Sequence, residues 1–356
     1  MKKTSILIIL MAVFAFLSGA LTVAFLYQRH RIARQEHVLG SIPLRNDQRR
    51  QTVQRYEGEM HQVSFYSDST ILFVSGNTLF LQNVRDTGSR IVFKGHTQTI
   101  QDYEVSPDRK HVVSSSEDGT LRLWNVHTGE CIAVSQQVDT LEQPSWTMLH
   151  DIVYSRNGKE IMSADMTGIK IWRAIDLKLL SSENSDIFYL CNGVLSPDWK
   201  TFCSRIPDLL EGFNIYERKT KDEEYLLLDH LGDRDPLCYS ADGKRLIVVQ
   251  RDSGNMEVLS IKPKTMRETR SWLWFYSPKA YLYDAAFSQD GKQLVSAHGD
   301  GTVRIWNAEN GAEREVLHWE GRAIDGVCFS PNGVRVLAYS NSAGEYCIWG
   351  PFSWMI

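Results

Sequence analysis

The phrase SSSEDGTLRLWNVHTGE, from Ser114 to Glu130, returns almost unchanged as SAHGDGTVRIWNAENGA, from Ser296 to Ala312. Each copy sets a tight Asp-Gly turn ahead of a strand of alternating apolar residues that ends on Trp, and a Gly-containing turn follows. Asp-Gly before such alternation is the strongest short-range signal for a hairpin. Upstream of each copy lies a second shared phrase, EVSPDRKHVV from Glu104 and AFSQDGKQLV from Ala286. It recurs as VYSRNGKEIM from Val153, VLSPDWKTFC from Val194, CYSADGKRLI from Cys238 and CFSPNGVRVL from Cys328. The unit reads strand, turn, strand, Asp-Gly turn, strand.

Two markers count the units independently. The large residue before the shared Ser falls at Phe65, Val105, Tyr154, Leu195, Tyr239, Phe287 and Phe329. The Trp position falls at Gln82, Trp124, Trp172, Tyr216, Leu259, Trp306 and Trp349, with gaps of 42, 48, 44, 43, 47 and 43 residues. A period of about 40–45 residues with four strands per unit is that of a propeller blade. The expected fold is therefore all-β, a seven-bladed β-propeller over residues 51–356. An apolar share of 43% and an aromatic share of 11% suit rings packed between sheets.

On these residues the chain resembles the WD-repeat family, over about residues 50–350. Gly95-His96 followed by Trp124-Asn125 matches the family's Gly-His…Trp-Asp frame, with Asn in place of the last Asp. The resemblance implies a buried network of Trp124, Ser114 or Ser116, His96 and Asp118. An imidazole held between a carboxylate and an indole is fully paired, so His96 reads as structural rather than catalytic. Blade 6 keeps Asp300 and Trp306 but lacks a Gly-His. Blades 3 and 7 place Met166 and Ala343 at the turn-Asp position, and blades 1, 4 and 5 place Gln82, Tyr216 and Leu259 at the Trp position.

Closure follows from counting. In blade 2 the fourth strand is expected near Cys131, seven residues after Trp124, and seven residues after Trp349 is Ile356. Blade 7 is thus expected to take its fourth strand from Gln51–Tyr56, which removes an exposed edge.

The N-terminal part has a different character. Ser5 to Tyr27 is a run of 23 residues without a charge. At about 1.5 Å per residue a helix of that length covers a hydrocarbon core of about 30 Å. Residues 1–27 are therefore read as a transmembrane anchor and residues 28–50 as a basic linker. The competing reading is a cleaved signal peptide with Ser18-Gly19-Ala20 at the cut, although cleavage there leaves Leu21–Tyr27 as an apolar terminus. Lys2 and Lys3 before the run nearly balance Arg29, Arg31 and Arg34 after it, so the charge comparison leaves the propeller cytoplasmic or exported. Residues 1–55 carry a net +7 and the remainder −11. An acidic body without a basic patch argues against nucleic acid, whose phosphates need Lys and Arg. The six cysteines are scattered without a CxxC pair, which speaks against a zinc or redox site. Only Cys191 and Cys203 sit near enough in one repeat to suggest a bridge.

Function is expected on the loops. By the family's geometry, the fourth-to-first connections and second-to-third turns share one rim. The departures from the repeat that fall there are bulky. They include Pro144 and Trp146 between blades 2 and 3, and Ile206-Pro207-Asp208-Leu209-Leu210 in blade 4. Trp272, Trp274, Phe275, Tyr276 and Tyr281 lie between blades 5 and 6, and His318-Trp319-Glu320 between blades 6 and 7. Aromatic residues anchor interfaces, so Trp146, Leu209, Leu210, Phe275, Tyr276 and Trp319 are the candidate contacts for a protein partner. The expected function is a membrane-anchored interaction scaffold, with no catalysis and no cofactor. The alternative is an enzyme or metal-binding propeller using its channel. There the innermost strands place Gln62, Asp102, Asp151, Asn192, Pro236, Asp284 and Gly326, and oxygen ligands of this kind can hold a cation.

Overall fold

The computed structural model describes residues 52–350, apart from 57–58, 87, 136–150, 166–167, 185–188, 206–212, 219–225, 233, 251–252, 254, 262–270, 276–280 and 320. The apolar run 5–27 and the linker 28–50 lie outside the described residues. Among the described residues no helix is long and apolar enough to cross a membrane.

The described residues form seven four-stranded antiparallel sheets. Blade 1 runs His61–Ser67, Thr70–Ser75, Thr78–Asn83 and Arg90–Phe93, and blade 2 runs Ile100–Val105, His111–Ser116, Leu121–Asn125 and Cys131–Val134. Blade 3 runs Asp151–Tyr154, Glu160–Asp165, Gly168–Arg173 and Lys178–Asn184. Blades 4, 5 and 6 repeat the order within 189–230, 234–275 and 282–318. In blade 7 the strands Gly326–Phe329, Val336–Ser340 and Glu345–Trp349 are completed by Thr52–Arg55.

The shared Ser of the repeat has a physical reason. In blade 2 the Ser106 hydroxyl donates to Asp108 Oδ1 at 2.6 Å and its oxygen accepts the His111 amide at 3.0 Å. Ser155, Ser196, Ser240, Ser288 and Ser330 bond in the same way to Asn157, Asp198, Asp242, Asp290 and Asn332. Each pair closes the turn between first and second strands, as short polar side chains do. The turn needs one residue at positive φ. Gly158, Gly243, Gly291 and Gly333 supply it without cost, whereas blades 2 and 4 put Arg109 (φ 59°) and Trp199 (φ 65°) there. Both side chains reach a neighbouring blade. Arg109 stacks 4.8 Å over the Tyr66 ring, and Trp199 Nε1 donates to the Tyr154 carbonyl at 3.2 Å.

The core is divided among the seams. Seven buried apolar clusters each join two neighbouring blades. Between blades 1 and 2, for example, Leu72, Leu79 and Phe93 pack on Ile100, Val112 and Trp124. The seam between blades 7 and 1 joins Phe65, Ile71 and Phe73 to Leu337, Tyr346 and Ile348, so the ring is closed. Thr52–Arg55 registers Gln54 opposite Tyr346 and Arg55 opposite Glu345, and the Tyr56 amide continues the ladder to the Gly344 carbonyl at 2.7 Å. No thiol pair is seen among the described cysteines, and Cys203 is free, so the suggested bridge to Cys191 is not made.

Candidate interaction surfaces and channel

Blade 2 assembles the network its motif implies. His96 Nδ1 lies 2.8 Å from Asp118 Oδ2 and His96 Nε2 lies 2.8 Å from Ser114 Oγ, which also accepts the Trp124 indole N–H at 2.8 Å. The bonds have one consistent proton order. Trp124 donates to Ser114, Ser114 donates to His96, and the imidazole Nδ1–H donates to Asp118. Burial pushes the Asp118 carboxyl up, but bonds from His96, the Thr120 hydroxyl and the Thr97 amide outweigh it and hold the group well below the ordinary carboxylate range. Ser116 lies outside this chain of bonds. It accepts the Asp118 amide at 3.1 Å and donates to the Gln98 carbonyl at 3.0 Å.

Blade 6 rebuilds the same contact from a different place in the sequence. Trp306 Nε1 donates to Ser296 Oγ at 2.7 Å, and Ser296 Oγ lies 2.8 Å from Nε2 of the buried His298. The imidazole comes from the second strand rather than from the loop before the blade. A Ser-Ala-His spelling where blade 2 reads Ser-Ser-Ser was the available signal. Asp300 is turned to the loop, where it accepts the Thr302 amide at 3.0 Å and hydroxyl at 2.6 Å. Other blades use other solutions. Blade 3 keeps Trp172 on Ser163 at 2.8 Å, and blade 5 buries Glu257 against Gln250 at 2.8 Å and Arg234 at 3.4 Å.

The channel residues act between blades. Asp102 Oδ2 accepts the amide of Ile152 in blade 3 at 3.0 Å. Asp151 Oδ2 accepts that of Leu195 in blade 4 at 2.7 Å, and Asp284 Oδ2 that of Val327 in blade 7 at 2.9 Å. From blade 1, Gln62 Nε2 donates to the Gln101 carbonyl of blade 2 at 2.5 Å. Pro236 and Gly326 cannot make such a bond, and the Tyr339 ring occupies the space a side chain at Gly326 would need. Among the described residues no three His, Cys, Asp or Glu side chains come together as a metal would require. The channel aspartates read as a cation site act as staples of the ring, and Asp102 and Asp284 line a cavity of about 900 Å³.

The candidate contacts fare differently. Trp146, Leu209, Leu210 and Tyr276 lie outside the described residues. Phe275 ends the outermost strand of blade 5, paired with Met256. Trp319 is a correction. It is only 5% exposed, its ring packs edge-on against Trp349 at 6.3 Å, and its amide bonds to the Gly301 carbonyl at 3.0 Å. It fills the seam between blades 6 and 7, where it packs in one cluster with Leu317, Ile324 and Trp349. Tyr281, at the end of the blade 5–6 connection, is exposed on the rim, with its carbonyl bonded to Gly299 of the second-to-third turn.

A surface that the loops did not suggest lies on blades 2 and 3. Ile132 and Val134 on the outermost strand of blade 2, and Leu179 and Leu180 on that of blade 3, are exposed, and Ile175 in the adjoining turn is 75% exposed. Ile132, Ile175 and Leu180 border a groove of about 580 Å³ with Leu123 and Tyr154 beneath. Turns between first and second strands line this groove, so it opens at the end of the sheets opposite the rim. The strand Cys131–Val134 has no charge, unlike Glu313–His318 of blade 6. An uncharged edge of this kind is one that proteins normally blunt.

Fold and networks together define a β-propeller of seven blades, within which two stretches match a WD40 repeat. Residues 88–125 and 274–307 match the family described as WD domain, G-beta repeat. The chain is 21% identical over 281 residues to a guanine nucleotide-binding protein subunit beta of Nicotiana tabacum, covering 72% of this chain and 70% of that protein. It is 27% identical over 262 residues to the small ribosomal subunit protein RACK1 of Drosophila melanogaster, covering 60% of this chain and 79% of that protein. Among solved structures, the Cps50 (Swd1) β-propeller domain from Myceliophthora thermophila superposes with a TM-score of 0.65 at 12% identity, over 84% of this chain and 99% of that one.

Proposed function

We propose that this chain is a protein-interaction scaffold, tethered to a membrane through residues 5–27, whose propeller binds a protein partner. The observation that carries the reading is the groove of blades 2 and 3 bordered by exposed Ile132, Ile175 and Leu180, with Val134 and Leu179 also exposed on the same two outermost strands. Exposed apolar side chains gathered around a groove mark contact sites. Relatives named as subunits of larger assemblies support it. The tether rests on the uncharged run of 23 residues and its flanking Lys and Arg.

A second contact on the opposite rim is favoured by the exposed Tyr281, which adjoins the connection carrying Tyr276. Trp146, Leu209, Leu210 and Phe275 are its other candidates. The test is capture of a partner by the full chain from detergent-solubilised membranes, with stoichiometry measured. Ile175→Ser with Leu180→Ser is expected to reduce capture at least thirtyfold if two anchors are lost, about 2 kcal/mol. Phe275→Ser with Tyr276→Ser reports on the rim. A parent chain that captures no stoichiometric partner overturns the scaffold reading, and loss confined to the rim variant moves the contact there.

A further inference from the structure

We propose that the groove of blades 2 and 3 takes a partner segment in which acidic residues flank aliphatic ones. The segment's aliphatic side chains fill the walls, and its oxygens meet the basic turns around the mouth and the phenol of Tyr154 on the floor. This rests on the groove being the partner site and adds the chemistry of its occupant.

The backbone sets the apolar walls. Leu123 and Trp124 pair with Ala133 and Cys131, so Ile132 is the extra residue of a β-bulge. Ile171 and Trp172 pair with Ser181 and Leu179, which leaves Leu180 as its counterpart in blade 3. A bulge re-aims the extra side chain, and here both border the groove. In blade 6 the equivalent bulge residue is Arg314.

The floor carries an unmet donor. Tyr154 lines the groove, is 5% exposed, and has a buried hydroxyl with no hydrogen-bond partner. Burial, helped by the nearby Glu104 and Asp108, pushes the phenol up, so it keeps its proton. A buried polar group without a bond is costly. A carbonyl or carboxylate oxygen of a seated segment supplies the acceptor that the fold does not.

Charge selects the sign of the occupant. Most of the acids around the groove are engaged. Asp176 accepts from Arg173 Nε at 2.8 Å in an ion pair, and Asp108 accepts the Ser106 hydroxyl and the Lys110 amide at 2.6 and 3.0 Å. Glu130 accepts the Thr128 hydroxyl at 3.1 Å, and Glu160 is the remaining carboxylate. Against it stand Lys110, Arg156, Lys159 and Lys178, all exposed and none in an ion pair among the described residues. Free cations therefore outnumber free anions at this mouth, although residues 56–356 sum to −11. Complementary charge at a rim steers and selects a partner.

Selection of a random peptide library displayed on phage against the detergent-solubilised full chain tests this, with Ile175→Ser plus Leu180→Ser as the groove variant. Peptides enriched by the parent and lost with the groove variant are expected to carry Asp or Glu beside Leu, Ile or Val. For the strongest of them, measured by fluorescence anisotropy, Lys110→Glu with Lys159→Glu should weaken binding about tenfold at low salt and less at high salt. Tyr154→Phe should weaken it about three- to tenfold, the loss of one hydrogen bond. Its melting temperature should hold, because the hydroxyl bonds to nothing within the fold. A Tyr154→Phe chain that binds like the parent overturns the role of the phenol. Groove-dependent peptides that are neutral or basic overturn the acidic occupant and leave the groove as the partner site. Peptides kept equally by the groove variant, or none enriched, overturn the groove as a peptide site. In that case phosphatidylserine vesicles bound by the parent and not by the groove variant would assign it to a lipid surface.

Discussion

The hydroxyl of Tyr346 donates to Gln54 Oε1 at 2.8 Å, joining the third strand of blade 7 to a strand that precedes the whole repeat array. Gln54 also donates to the Val84 carbonyl of blade 1 at 2.7 Å, and Gln82 Nε2 reaches the same Tyr346 hydroxyl at 3.3 Å. The closing strand is therefore bonded to both blades that meet at the seam. A chain beginning at Leu44 is expected to purify as a folded monomer. One beginning at Glu57 exposes the edge of Glu345–Trp349 and is expected to aggregate. Equal melting temperatures and equal monomer fractions by size exclusion would contradict this closure.

The Asp118 carboxylate holds His96 in place, so Asp118→Ala should cost about 1–3 kcal/mol by leaving a buried imidazole N–H unpaired. Because the folded value of Asp118 is depressed, its contribution is present above the unfolded value of about 4 and is lost as pH falls through the folded one. The cost should therefore shrink in acid. Urea denaturation of parent and variant at two pH values reads both effects. Asp300→Ala, which removes a partly exposed carboxylate bonded to Thr302, should cost less.

His298 supports Ser296 and through it Trp306, so His298→Ala should destabilise the chain by about 1–3 kcal/mol. Restoring a Gly-His ahead of blade 6 is not expected to compensate, because the imidazole that reaches Ser296 comes from the second strand of the blade and not from the loop before it. The measurement is the same denaturation midpoint, taken for single and double variants.

Much of this was legible in the sequence, and the reason is local. Turn chemistry repeats because six first-to-second turns pair a Ser hydroxyl with an Asp or Asn side chain, as Ser106 with Asp108 and Ser330 with Asn332 show, while blade 1 pairs Ser67 with Thr70. Closure was legible because strand count and chain length are one-dimensional. Trp319 was not, because an aromatic in a connection is read as a loop tip unless its burial against Trp349 is known. Nor was the role of Asp102, Asp151 and Asp284, since the amides they accept lie 50, 44 and 43 residues away. His298 lay between these cases. Its partner Ser296 is two residues away, but the family's motif directs attention to a different position.

Trp319→Ala should act on stability and not on partner capture. A buried Trp truncated in a packed seam typically costs about 3–5 kcal/mol. The expected result is a lower denaturation midpoint, with binding per folded molecule unchanged. A variant that keeps the parent's midpoint and loses its partner would return Trp319 to the contact surface.

Asp284 gives the last expectation and carries a pH sign opposite to that of Asp118. Burial lifts its folded-state value to about 7, although the amides of Ala285 and Val327 both bond to it. Its contribution is complete below the unfolded value of about 4 and falls as pH rises to the folded one, after which it stays low. Asp284→Asn removes the charge and keeps an oxygen for the Val327 amide. The variant should match the parent near pH 4 and melt about 2–4 °C higher near pH 8, the size of change expected from roughly 1 kcal/mol in a domain of several hundred residues. Calorimetric scans at the two pH values measure the difference. A variant that melts lower than the parent at pH 8 would mean that the ionised carboxylate holds Val327 more strongly than burial opposes it.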